Sequence, residues 1–166
     1  MARFFVTGGD FHRSEGSISI IELENNKLRL ISENWLEHPI PSEAVLGKGL
    51  TGMYFDDDIF LVAFSNLIAE INPNTLEILR TWSDPLFNDI HGIHRVENEV
   101  FVSNCGNESV DILNISNGVV ERINLLGDDL RSIRPPTNPI SDTKPHLHHI
   151  SDIIKTKKKQ ILISLV

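Results

Sequence analysis

The chain has 166 residues, 40% of them hydrophobic, and its 23 acidic side chains outnumber 15 basic ones to leave a formal charge of −8. One domain of that size buries most of its apolar surface, and an acidic balance excludes a general binder of nucleic acid or anionic membrane, which clustered Lys and Arg would serve. A lone cysteine, Cys105, cannot close an internal disulfide, no apolar run approaches the roughly twenty residues of a membrane span, and the apolar start is too short for a secretory signal, so the expected compartment is the cytoplasm.

Short apolar runs separated by turn residues predict strands along most of the chain. The first group covers 4–7, 17–21 and 27–31, with Asn25-Asn26 turning the last two into a hairpin. After Pro39 and Pro41 a second group covers 50–55, 59–64, 67–71 and 76–82, with turns at Asp56-Asp57-Asp58 and Asn72-Pro73-Asn74. A third covers 91–96, 100–104, 110–115 and 119–125; Asn117-Gly118 is its strongest hairpin signal, because both residues tolerate positive φ. Helical periodicity is confined to 42–46, ahead of Gly47. The segment 127–145, with Pro135, Pro136 and Pro139, reads as a long irregular loop.

One phrase recurs about every forty residues. Thr51-Gly52-Met53, leading to Phe60-Leu61-Val62-Ala63, returns as His91-Gly92-Ile93 leading to Val100-Phe101-Val102-Ser103. It returns again as His148-His149-Ile150 leading to Ile161-Leu162-Ile163-Ser164, across a first turn about four residues longer. Repeats of this length built from four short strands are the signature of propeller blades. The expected fold is therefore all-β: an incomplete β-propeller of about three to four blades of four antiparallel strands, half of a six- or seven-bladed ring. A single partial domain over 1–166 divides into units at 3–36, which lacks its first strand, 49–84, 89–126 and 146–166. Such an arc, whether a shortened reading frame or a piece that assembles from copies, is expected to associate through its open blade edges.

Innermost propeller strands point alternate side chains at the central axis. In the repeat His148 aligns with His91, Thr51 fills the same slot one unit earlier, and Asp89 and His146 stand just upstream, so these five residues are the candidate ligand-binding set. Neutral imidazoles from separate strands suit a divalent metal, making His91 and His148 the candidate metal ligands, although three ligands would be wanted. The bland readings are a channel histidine bonded to a carbonyl, Cys105 as a small buried side chain, and Asp56-Asp57-Asp58 as a polar turn and not a calcium loop. Lys155 to Lys159 read as a solvated turn, His94 and His149 as weaker channel positions, His12 and His38 as surface loop residues, and Trp35 and Trp82 as inter-blade packing. Gly8-Gly9-Asp10 lacks the strand-to-helix setting of a phosphate loop.

Asn88-Asp89-Ile90-His91-Gly92-Ile93, Val100-Phe101-Val102-Ser103-Asn104 and His146-Leu147-His148-His149-Ile150 resemble the blade motifs of an uncharacterised bacterial propeller family. Its members carry a D-I-H-D-L phrase with a W-F-V-N strand in one blade and an H-L-N-G-L phrase in the next. More distantly, the phrases are similar to channel strands of NHL-type lyases, of the strictosidine synthase and SMP-30 group and of bacterial arylsulfotransferases. That resemblance implies blade-start histidines set around the axis as metal ligands or catalytic groups. The expectation is a module that binds a small polar ligand or a partner protein at the channel. The alternatives are a metal- or histidine-dependent lyase, hydrolase or sulfotransferase, and a purely structural interaction domain.

Overall fold

The turn chemistry read from the sequence sets the strand boundaries. A computed structural model describes residues 2–10, 12–56, 59–125, 150–155 and 160–165. Strands β1 (Ala2–Gly9), β2 (Gly16–Glu24) and β3 (Lys27–Leu36) form a three-stranded antiparallel meander; Asn25 and Asn26, at φ 51° and 58°, make its tight hairpin. A single 3-10 turn at Pro41–Glu43 leads to the second blade, β4 (Gly52–Phe55), β5 (Phe60–Ala63), β6 (Leu67–Ile71) and β7 (Ile78–Ser83). The third repeats that order with β8 (Ile90–Val96), β9 (Glu99–Asn104), β10 (Ser109–Asn114) and β11 (Val120–Asn124), and the fourth contributes the hairpin β12 (Ile150–Lys155) and β13 (Ile161–Leu165). The chain is an all-β, incomplete propeller. The loop 127–145 lies outside the described residues, and among those residues no helix is long and apolar enough to cross a membrane.

The core lies between blades. Along β5 the strand alternation sends Phe60 and Val62 toward the first blade, where they pack with Ile18 and Phe5, and sends Leu61 and Ala63 toward Phe87, Ile90 and Val102 of the third. In β9, Val100 and Val102 face the second blade and Phe101 faces Ile153 of the fourth. All four residues of β5 are buried, the pattern of a strand covered on both faces. Phe5, Phe55 and Phe60 add a cluster of tilted rings with centroids 4.9 to 5.2 Å apart between the first two blades. The inner strands of neighbouring blades run side by side, and at Gly52 a Cβ would stand 2.9 Å from the His91 carbonyl oxygen, so that crossing admits only glycine.

Three expectations change here. The hairpin at Asn117-Gly118 forms, but Gly118 alone takes positive φ (75°), while Asn117 Oδ1 accepts the Val119 N–H at 3.0 Å. His38 is buried, not a surface residue: its ring bonds the Ile40 carbonyl (2.7 Å) and Asn66 (2.9 Å) and meets Phe64 edge-on, because the 38–43 segment covers the end of the second blade. Trp82 packs between blades as expected, whereas Trp35, on the outer strand of the first blade, is 38% exposed with the Arg13 guanidinium over its ring.

A fully buried Asp111 braces the third blade. It takes two bonds from Arg122 (2.7 and 2.5 Å), one from Ser109 and one from Asn104, whose amide also holds the Leu86 carbonyl. Asp111→Ala strands a half-buried guanidinium and should lower unfolding stability by about 3–5 kcal/mol in urea titration; a loss under about 1 kcal/mol would show that the network is not a brace.

Candidate functional site

The start of β8 departs from regular strand geometry in two places. Asp89 adopts a left-handed backbone, φ 55°, which a non-glycine residue holds only when its surroundings fix it. Two residues later the register slips between Ile90 and Gly92, leaving His91 on a bulge. The Ser103 hydroxyl fills the gap in the ladder, accepting the Gly92 N–H at 2.5 Å and donating to the Gly92 carbonyl at 3.2 Å. In the second blade the same place holds Ala63, and the ladder there runs on without a bulge, with Thr51 N–H bonded directly to the Ala63 carbonyl at 2.9 Å.

Around that bulge several polar groups meet. Lys48 Nζ lies 2.6 Å from Asp89 Oδ1, and His91 Nε2 lies 3.4 Å from the same oxygen. Asp89 is buried, Lys48 and His91 partly exposed. Burial pushes the Asp89 carboxyl up, but the bonds from His91 and Lys48 and the Lys48 charge outweigh it and hold the group well below the usual carboxylate range. Cys105, fully buried, donates its backbone N–H to the Asp89 carbonyl at 3.1 Å. Burial pushes its thiol up to about 11, against a bond from the Ile150 backbone to the sulfur and with the Asp89 charge adding to the rise. Single donor atoms of Asp89, His91 and Cys105 all lie within 4.8 Å of one another.

Beside this cluster a cavity of about 220 Å³ is lined by Gly9, Gly47, Lys48, Gly49, Leu50, Thr51 and His91. Its wall is pinned by Leu50 N–H to the Gly8 carbonyl (3.1 Å) and Gly47 N–H to the Arg13 carbonyl (2.8 Å), and the close approach of Gly9 to Gly49 leaves no room for a Cβ on either. Thr51, also on this wall, donates its hydroxyl to the Ala63 carbonyl at 3.3 Å.

Thr51, Asp89 and His91 are thus brought together where β4 and β8 begin. His146 and His148, with His149, lie outside the described residues. Their alignment with the repeat is nevertheless corrected by strand register. Ala63, Ser103 and Ser164 pair with Gly52, Gly92 and Asp152, so the residue of the fourth blade that matches Thr51 and His91 is Ser151 and not His148. Buried Ile150 and Ile153 then stand where Ile90 and Ile93 do, and Lys155 pairs with Ile161 where Phe55 pairs with Phe60 and Arg95 with Val100, a spacing one residue longer in the fourth blade and not four. Tyr54 edges the His94 ring at 5.4 Å, Asp56 caps its turn by accepting the Ile59 N–H, and His12 is exposed; Asp57, Asp58 and the lysines 157–159 lie outside the described residues.

Sequence reasoning missed Lys48 and the company Cys105 keeps. A lysine between Gly47 and Gly49, just ahead of a blade repeat, is the signal that was present for the first; Cys105 gave none, because its neighbours come from another strand.

No protein-family model matches the chain, and no curated protein does. Among solved structures it is similar to the WD40 domain of Neurospora crassa Pan2, with a TM-score of 0.53 and 11% identity over 96% of this chain and 42% of that one. It is also similar to a chain of a nidogen/laminin complex, at TM-score 0.51 and 9% identity over 74% of this chain and 43% of that one. These likenesses support the propeller fold, and the chain spans less than half the length of either structure.

Because the folded Asp89 carboxyl titrates below its unfolded value, near 4, its stabilising contribution is complete above that pH and is lost as the pH falls through the folded value. The stability gap between wild type and Asp89→Asn should therefore shrink on acidification below about pH 4; a gap that stays constant, or widens, in acid unfolding titrations would contradict the assignment.

Proposed function

We propose that this propeller arc is a binding module that takes a small polar ligand at the axial end of its inner strands. The observation that carries the reading is the cavity itself, where the Lys48 ammonium and the His91 imidazole, from two separate segments, meet at a buried carboxylate beside a wall that Thr51 also lines. Lys48 has three donors and Asp89 takes one, which favours a ligand carrying an acceptor such as a carboxylate. The volume suits a compound of a few heavy atoms, below the range of drug-sized pockets. The resemblance of the Asn88–Ile93 phrase to a bacterial propeller family and to histidine-bearing propeller lyases supports the same end of the fold. A panel of small carboxylates, phosphates and sugars screened by ligand-observed NMR should yield a saturable binder, weakened about tenfold by Thr51→Val and more by His91→Ala. Absence of any binder, or equal binding by both variants, would contradict the reading.

A second reading, self-association, rests on the two ends of the arc. Phe4, Val6, Leu28 and Leu30 lie on one face of the first sheet and are 44–70% exposed, and Ile154 and Leu162, paired across the fourth, are 48% and 56% exposed. A blade face of this kind is covered by a neighbour in a closed ring, and a second copy of the chain offers one. Sedimentation should show association at micromolar concentration that Leu28→Glu with Leu30→Glu abolishes; a wild type that stays monomeric would end this reading.

A further inference from the structure

We infer that Asp89, His91 and Cys105 form a divalent-metal site, best matched to zinc, with the Cys105 sulfur as the ligand that completes a set of three. The site goes beyond the ligand-binding reading and does not depend on it.

The argument starts from donor chemistry. Carboxylate, imidazole and thiolate are the three side-chain ligand types zinc uses, and three protein ligands with a further open position is the arrangement of its catalytic sites. Here one donor atom from each lies within 4.8 Å of the other two. Backbone geometry produces that closeness. Asp89 is turned by its left-handed φ, His91 is displaced by the bulge, and Cys105 opens the 3-10 turn Cys105–Asn107 that follows β9. The bond from Cys105 N–H to the Asp89 carbonyl ties the two ends of the cluster together, and the bond from the Ile150 backbone to the sulfur brings in the next blade. Glycine at 106 is needed behind it, since a Cβ there would stand 2.6 Å from the Asn88 side chain.

Outer partners are in place as well. Lys48 donates to Asp89 Oδ1 at 2.6 Å and orients the carboxylate, as second-sphere bonds do at metal centres. Asn88 N–H bonds Asn104 Oδ1, and Asn104 is itself held by Asp111, so the segment leading into Asp89 is fixed by the brace of the third blade. His91 also lines the 220 Å³ cavity, so an open coordination position on this side would face the place where a small ligand fits. A coordinated thiol gives up its proton to the metal outright, which removes the obstacle that burial places on an isolated thiolate.

The test is a titration of the full chain, stripped with chelator, with Co²⁺ alone. The expected result is one Co²⁺ per chain, a near-ultraviolet thiolate-to-cobalt charge-transfer band, tetrahedral visible bands, and displacement of all of them by Zn²⁺. Cys105→Ser should abolish the charge-transfer band. Asp89→Asn and His91→Ala should each weaken Co²⁺ binding by at least about 100-fold, the upper end of what loss of an outer partner costs. Thr51→Val, which alters the cavity but not the cluster, should leave the band unchanged, so failure of the metal site and failure of the ligand-binding reading are told apart. A wild type that binds neither ion, an octahedral spectrum without the thiolate band, or a band that survives in Cys105→Ser would each overturn the inference, and the first two need no variant to fold.

Discussion

The interior strands of this protein have no solvent face. In β5, Phe60 and Val62 enter one neighbouring blade while Leu61 and Ala63 enter the other, and β9 divides its side chains in the same way. A strand buried on both sides has one permitted register, because a slip of one residue would exchange its two sets of side chains. At about 1.5–3 kcal/mol for each large apolar side chain buried, the faces of successive blades dominate the stability of the arc and fix how each blade sits on the next. The glycine crossing at Gly52 and His91 follows from that contact, since blades pressed together over their apolar faces bring the inner strands within backbone distance.

The polar site is a consequence of the same constraint. Lys48 comes from the lead-in to the second blade, Asp89 and His91 from the start of the third, Cys105 from the turn beyond β9, and the sulfur is touched by the backbone of the fourth. No single blade holds this set. What the third blade adds locally is a distortion at its inner strand, and Ser103 supplies the hydroxyl that lets the ladder tolerate it. Where Ala63 stands in place of serine the strand is regular, and where Ser164 stands the bulge returns, with Ser151 bonded to it. The alternation of Ser and Ala at the end of the second strand is thus a record of backbone shape.

Much of this was legible in the sequence. Alternating apolar runs bounded by Asn25-Asn26, Asn72-Pro73-Asn74 and Asn117-Gly118 gave each described strand, and the recurring phrase gave the blade order. The register of the fourth blade was not legible, because His148-His149-Ile150 looks more like His91-Gly92-Ile93 than Ile150-Ser151-Asp152-Ile153 does. The physical anchor is the pair of buried isoleucines three apart, which face apolar neighbours while the axial residues between them are free to vary. Thr51, Asp89 and His91 were found from the repeat because they belong to it. Lys48 and Cys105 lie outside the repeated phrase and join the site through contacts between strands, which no spacing along the chain encodes. His38 was misread for a similar reason: its burial comes from Asn66 and Phe64, 28 and 26 residues away in sequence.

The central claim is that burial between blades carries the lead-in of one blade onto the start of the next, so that residues 41 apart in sequence share one charge pair. A double-mutant cycle with Lys48→Met and Asp89→Asn, read by urea unfolding, measures it most directly. The account predicts a coupling energy of about 1 kcal/mol or more between the two positions, whereas additivity within about 0.5 kcal/mol, as for residues that do not touch, would contradict it.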